Sequence, residues 1–230
     1  MLQVGLTENL PIARAHPMPA LLTQAIQKFP LVDRSPDYFD QIERRSVGYL
    51  VWSQFPVQVW IDEAGNDRWQ TQVKQAVVEW QRYFPLVIGS QEGADIRIQA
   101  QRLPLKPNPK TGILPRFRSA QTTYEVFLTP EVFPTPSPEQ PSLERRSPSL
   151  LNHRMTIVIP PGQADGVMLS VARHELGHAI GLWGHSPNPQ DVMYFAQVKS
   201  PPLISPRDLQ TLYRVYEQPT RLGWPIVPEK

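Results

Sequence analysis

The 230-residue sequence contains no cysteine. Disulfide bonds are therefore excluded, and so is any thiolate metal ligand. A metal site in this chain must use histidine and carboxylate side chains. The absence of cysteine does not by itself assign a compartment.

Long apolar runs are also missing. The longest, such as Tyr49–Trp52, are far shorter than the roughly 20 residues that a membrane-spanning helix needs. Glu8, Arg14 and His16 interrupt the place where the apolar core of a signal peptide would lie. We expect no membrane segment and a cytoplasmic location by default, or a secreted or periplasmic one if the N-terminus has been trimmed.

The sequence also lacks a strong charge bias. The net charge is +2 and the isoelectric point is near 8.9, which is too weak a bias to indicate nucleic-acid binding. Hydrophobic residues make up 40% of the chain and charged residues 19%, so a normal core is expected. Of the 27 prolines, 15 cluster at 103–115, 130–148 and 187–206, which predicts loops there.

Alternation and helical spacing of apolar residues predict an α+β chain. A strand at 56–62 precedes a long amphipathic helix at about 68–83, which begins after the turn Gly65–Asp67. Ser205, Pro206 and Asp208 form a helix-start signature that predicts a C-terminal helix. Further predicted elements are a short helix at Ala20–Phe29 and strands at Leu86–Ile88, Asp95–Gln99, Ala120–Leu128 and Met155–Ile159.

The most informative stretch is the dodecapeptide from His174 to His185. His174 and His178 are four residues apart, so a helix places both imidazoles on one face, where they can bind one Zn²⁺. Glu175 points to a neighbouring side, where it can act on a water rather than on the metal. This arrangement predicts two metal ligands and a general base.

The ends of this helix complete the predicted site. Asp165 is the expected N-cap, and Gly181 is expected to end the helix because glycine adopts the left-handed conformation easily. The chain then turns back, so that His185 can supply a third ligand and leave one zinc position open. Asp191 is the next candidate for that third ligand.

The segment resembles the metzincin metalloproteases, and among them the matrixins. Their motif H-E-x-x-H-x-x-G-x-x-H, followed by a methionine turn, is matched by His174, Glu175, His178 and Gly181. The continuation His-Ser-x-x-Pro-x-x-x-Met-Tyr matches from His185 to Tyr194. The interval from Gly181 to His185 is one residue longer than in the family, and Gly184 is expected to absorb the insertion.

The resemblance implies a metzincin-like zincin fold: a twisted mixed sheet of about five strands, with a long helix, an active-site helix and a C-terminal helix. It implies a zinc endopeptidase that hydrolyses peptide bonds of peptide or protein substrates through a zinc-bound water activated by Glu175. Met193 would lie under the imidazoles without coordinating. Tyr194 and Phe195 would line a substrate pocket, and the strand Ala120–Leu128 would be the edge strand that can pair with substrate.

A second hypothesis is a catalytically silent, zinc-stabilised protein-binding module. Glu175 distinguishes the two hypotheses, because a purely structural site has no need of that carboxylate. A structural site would also close the fourth zinc position with a protein ligand, and none is apparent in the sequence. One catalytic zinc ion is expected. The basic stretch 101–118 lacks carboxylates, so no structural zinc or calcium is predicted there.

The predicted domains are an N-terminal extension at 1–48, a catalytic domain at 49–217 and a tail at 218–230. The extension is a propeptide, a packing arm or a linker; the cysteine latency device of matrixins is impossible in this chain. Residues 129–152 are expected to form a long flexible loop. His153 matches no motif position and is expected at the surface.

Overall fold

The computed structural model describes residues 10–28, 37–104, 120–130, 149–196, 198 and 201–226. The predicted loop at 101–118 therefore lies mostly outside the described residues, as does 131–148. The described part contains four α-helices, a 3₁₀ turn at Phe39–Gln41 and five strands. The helices are α1 (Ala20–Lys28), α2 (Asp67–Gln81), α3 (Asp165–Ile180) and α4 (Pro206–Tyr216), and the strands are β1 (Val57–Ile61), β2 (Leu86–Ile88), β3 (Ile96–Gln99), β4 (Gln121–Pro130) and β5 (Ser149–Val158).

The five strands form one mixed sheet with the order β2-β1-β3-β5-β4. The β1–β2, β1–β3 and β3–β5 pairs are parallel, and β4 pairs antiparallel with β5 along its whole length, from Gln121 opposite Val158 to Pro130 opposite Ser149. The predicted α+β class with a mixed five-stranded sheet is confirmed at this level. Within the described part of the chain β4 is an edge strand, as predicted for 120–128.

Helices α2 and α3 pack against each other and against the sheet. Two tryptophans of α2 fix this packing through their indole N–H groups: Trp69 donates to the Ile159 carbonyl at 3.1 Å and Trp80 to the Arg173 carbonyl at 2.9 Å. Both side chains are fully buried. Because Arg173 precedes the predicted ligand His174, this packing fixes α3 beside the ligand positions.

The predicted cap of α3 is wrong. Asp165 is the first helical residue, and Ala164 occupies the cap position without a side-chain hydrogen bond. The Asp165 carboxylate instead pairs with Arg68 of α2 at 2.9 Å. An acid in the first turn still interacts favourably with the helix dipole. The predicted end of the helix is confirmed, because Gly181 follows with φ of 133°.

The predicted extent of the last strand and the surface position of His153 are both wrong. β5 begins at Ser149, six residues earlier than expected, because β4 offers a partner along its full length. Period-two alternation then directs Leu151, His153 and Met155 into the protein. His153 is 4% exposed, and its ring stacks on Trp52 with 3.9 Å between ring centroids.

Helix α4 begins as predicted, with a reciprocal capping box between Ser205 and Asp208. Helix α1 packs against α4. Much of the N-terminal region joins the core, including the buried residues Tyr38, Ile42, Val47 and Leu50. Beyond α4, Thr220 forms β-bridges to Arg14 and Gly48. Among the helices that the structure describes, none is both long and apolar enough to cross a membrane.

Candidate metal centre

Three histidines meet at the C-terminal half of α3 and the loop that follows it. The ring centroids of His174 and His178 are 4.8 Å apart, and the His185 centroid lies 5.2 Å and 5.0 Å from them. The three potential ligand nitrogens all lie within 4.8 Å of one another. The structure thus brings the three predicted ligands into one group that could hold a metal ion.

Backbone carbonyls orient two of the three rings. The Nδ1 atom of His174 is 2.8 Å from the Val192 carbonyl oxygen, and Nδ1 of His178 is 2.7 Å from the Leu182 carbonyl oxygen. A carbonyl oxygen only accepts, so Nδ1 carries the proton in both rings. The Nε2 lone pair of each ring is then left for a metal, which is the usual outer-shell arrangement of metal-binding histidines.

Burial keeps these rings neutral. It lowers the pKa of His174 to about 4, with a further lowering from the neighbouring His178, and it lowers the pKa of His178 to about 4. Burial also lowers the pKa of the more exposed His185. Neutral imidazoles are the form that binds metals, so the ligands need not lose protons near pH 7.

Glu175 lies next to this group without belonging to it. Its side chain is buried, and burial raises the pKa of its carboxyl group, against the opposing effects of His174 and of a hydrogen bond from Thr122. The Thr122 hydroxyl donates to Oε2 of Glu175 at 2.5 Å. The general-base candidate is therefore held in place from the neighbouring sheet edge.

Thr122 is a site residue that the sequence reasoning missed. It lies at the start of β4, on the same strand face as Tyr124, whose ring packs perpendicular to Trp183 at 5.2 Å. The predicted strand contained this position. Its contact with Glu175 depends on the pairing of β4 with β5, which no sequence motif marks.

Met193 packs against α3, on the side of Gly177. It is fully buried, and its Sδ atom would lie 2.3 Å from a Cβ placed on Gly177, between the two helical histidines. The Ser186 N–H donates to the Met193 carbonyl at 2.8 Å, which closes the turn. Asp191, the alternative third ligand, is buried and accepts hydrogen bonds from Ser205 and Arg207 at 2.8 and 3.0 Å. It lies outside the three-histidine group.

Two cavities border the histidine group. One of about 280 Å³ is lined by residues that include Glu43, Thr122, His178 and His185. The other, of about 120 Å³, lies on the His174 side and includes the predicted pocket residues Tyr194 and Phe195. Glu175 lines both cavities, which together are called the cleft below. A larger cavity of about 500 Å³ lies elsewhere, next to Trp52 and His153.

No protein-family model matches this chain, and no curated protein matches it. Its function must therefore be argued from the residues of the site.

Proposed function

We propose that this chain is a zinc-dependent endopeptidase of the matrixin-like metzincin type. The observation that carries the proposal is the buried acid Glu175, which lies beside three convergent histidines and lines both cavities of the cleft. A metal site that only stabilises a fold needs no such carboxylate. A site for hydrolysis needs a proton acceptor at this position.

The donor set fits zinc. Three imidazoles, two of which have tautomers fixed by backbone carbonyls, favour a borderline metal such as zinc over calcium or magnesium, which prefer oxygen ligands. Three protein ligands leave a fourth position free, as catalytic zinc sites require. The motif and the methionine turn further favour zinc among the metals that imidazole binds.

The architecture supports the same proposal. A five-stranded mixed sheet ends in the antiparallel strand β4, whose second edge has no strand partner among the described residues. The beginning of this strand, at Gln121 and Thr122, lines the cleft beside His185. An extended peptide that added to this edge would lie across the histidine group. The proposed fold is thus the matrixin-like zincin fold.

Bound zinc would polarise the scissile carbonyl and make water a stronger acid. The chain's own residues would supply the rest of the chemistry. Glu175 would accept a proton from the attacking water at its carboxylate and deliver it to the leaving amine nitrogen. Thr122 would hold that carboxylate towards the cleft, and the cavity beside Tyr194 and Phe195 would receive a substrate side chain.

The test is cleavage of a mixed peptide library by the zinc-loaded chain, with Glu175→Gln as the matched variant. We expect internal cleavage by the parent, and a loss of at least about 1,000-fold in the variant with zinc still bound, because the amide cannot accept the water proton. Cleavage by both proteins would remove Glu175 as the base. Cleavage by neither, with zinc bound to both, would favour the silent binding module.

A further inference from the structure

The loop that carries His185 is paired with an N-terminal segment that lies more than 130 residues away in the chain. Ile42 and Gly184 form an antiparallel β-bridge, and the Glu43 N–H donates to the Trp183 carbonyl at 3.0 Å. The segment Gln41–Glu43 thus holds the two residues that directly precede His185.

Gly184 is needed for this close approach. A Cβ at position 184 would lie 2.1 Å from the Gln41 carbonyl oxygen and 3.1 Å from the Ile42 Cα. Both are backbone atoms, which cannot rotate away as the end of a side chain can. Gly184 thus does more than absorb the extra residue of the loop: it lets the N-terminal segment lie directly against it.

Trp183 connects this pairing to a second ligand. Its ring packs against Tyr124 of β4, and its centroid lies 5.7 Å from that of His178. From the N-terminal region, the Arg45 guanidinium carbon lies 5.7 Å from the Trp183 ring centroid. The N-terminal segment therefore contacts a residue that also touches the metal-binding helix.

The chain just before this segment is anchored to α4, the helix that supports the methionine turn. The Tyr38 phenol donates to Asp208 at 2.7 Å, and Asp208 also accepts the Val192 N–H at 2.9 Å. The Val192 carbonyl in turn orients His174. The anchor is buried, with Tyr38 3% and Asp208 0% exposed.

His185 depends on its backbone more than the other two histidines do. Within the described residues, no protein group hydrogen-bonds its ring, and it is the one exposed member of the three histidines. Apart from its ring contacts with the other two histidines, its position therefore comes from the loop. A longer loop has more freedom to lose, so it needs an external hold.

We propose that Gln41–Glu43 is a positioning element of the metal centre that holds His185 in reach of the metal. The inference rests on the proposed metal site and adds to it. Gln41–Glu43 is then part of the working site and not part of a propeptide that must be removed before the site functions. These three residues of the predicted extension at 1–48 would thus have a role in metal binding.

The test is zinc affinity of the full chain, measured by competition with a chromophoric chelator. Gly184→Ala is compared with Gly166→Ala, a matched change on α3 where a Cβ would meet no atom within 4 Å. We expect Gly184→Ala to bind zinc about 10–100-fold more weakly, as outer-shell changes do, and Gly166→Ala to match the parent.

A second pair of variants separates the effect of the Glu43 backbone N–H from the effect of its side chain. Glu43→Pro removes both the N–H bond to Trp183 and the carboxylate, whereas Glu43→Ala removes the carboxylate alone. Ile42 already has φ of −86° and ψ of 122°, which suits a residue before proline. We expect Glu43→Pro to lose zinc affinity at least threefold relative to Glu43→Ala. This pair decides the question if Gly184→Ala does not fold.

A positioning role also predicts non-additivity. In a His185→Ala background, Gly184→Ala and Glu43→Pro should cause a much smaller further loss, because the main residue through which they act is gone. Equal losses in both backgrounds would mean general destabilisation and would overturn the inference. Unchanged zinc affinity in both Gly184→Ala and Glu43→Pro would overturn it as well. Absence of zinc binding by the parent would instead defeat the metal site itself.

Discussion

The Thr122 hydroxyl donates a 2.5 Å hydrogen bond to the carboxylate of Glu175, which joins the edge of the sheet to helix α3, the helix that carries His174 and His178. This bond holds the carboxylate of a buried residue that lines both cavities beside the three histidines. It also couples the substrate-binding edge that we propose to the residue that would move the proton.

Thr122→Val should lower kcat/KM about tenfold or more while zinc content stays unchanged, because a hydrogen bond to a charged group contributes roughly 1.5–3 kcal/mol. Thr122→Ser should restore most of the activity. Thr123→Val is the matched control, since its exposed hydroxyl is 3.4 Å from the Thr156 carbonyl on β5. Equal activity in Thr122→Val and the control would show that Glu175 needs no such support.

His185→Ala should weaken zinc binding by more than about 100-fold, since it removes a direct ligand rather than an outer-shell group. Asp191→Asn should weaken it at most about tenfold, because the amide still reaches Ser205 and Arg207 from its buried position. Chelator competition on both variants provides the comparison. A larger loss in Asp191→Asn would make the aspartate the third ligand.

Gly177→Ala should lower the free energy of unfolding by about 1–3 kcal/mol, because the new methyl group would overlap the Met193 sulfur in a packed core. Urea denaturation measures the change, with Gly166→Ala as the control that meets no atom within 4 Å. Adding Met193→Ala to Gly177→Ala should cost less than the sum of the single changes. Strict additivity would contradict the contact.

Glu79→Ala should destabilise the chain by about 3–5 kcal/mol, because it leaves the Arg173 guanidinium buried without its charge partner. The side chains of this α2–α3 pair are only 15% and 6% exposed. The exposed pair of Glu125 with Arg154 is the control, and Glu125→Ala should cost about 0–1 kcal/mol. Similar losses in the two variants would refute the distinction.

His153→Phe should make the chain more resistant to acid. Burial lowers the pKa of His153 to about 3, whereas the unfolded chain has an ordinary value near 6.5. The unfolded state therefore takes up a proton first as pH falls. The stability of the neutral ring is fully present above pH 6.5 and is lost progressively down to about pH 3.

Between about pH 7.5 and pH 5, the parent should lose about 2 kcal/mol more than His153→Phe, which keeps an aromatic ring against Trp52. Urea unfolding of both proteins is measured in excess chelator, so that His174, His178 and His185 contribute equally to the stability of the two proteins. An unchanged difference between the two proteins across this range would mean that His153 is protonated in the folded state or solvated.

The sequence alone determined the elements whose residues carry a local signal. The helix ending at Gly181, the capping box of Ser205 with Asp208, and the alternation at Val57–Ile61 were all predicted correctly, because each reports the conformation of a few neighbouring residues. The grouping of His174, His178 and His185 also followed from spacing, since one helix and one turn set their separation. Zinc binding by these histidines and catalysis of peptide hydrolysis stay proposals.

Only the tertiary structure decided what depends on partners far along the chain. The early start of β5, and with it the burial of His153, follows from pairing with β4. The contact of Thr122 with Glu175 follows from the place of β4 at the sheet edge, and the hold on Gly184 comes from Gln41–Glu43. Local propensity is a property of neighbouring residues, whereas these contacts exist only once distant segments share one core, so no short stretch of sequence encodes them.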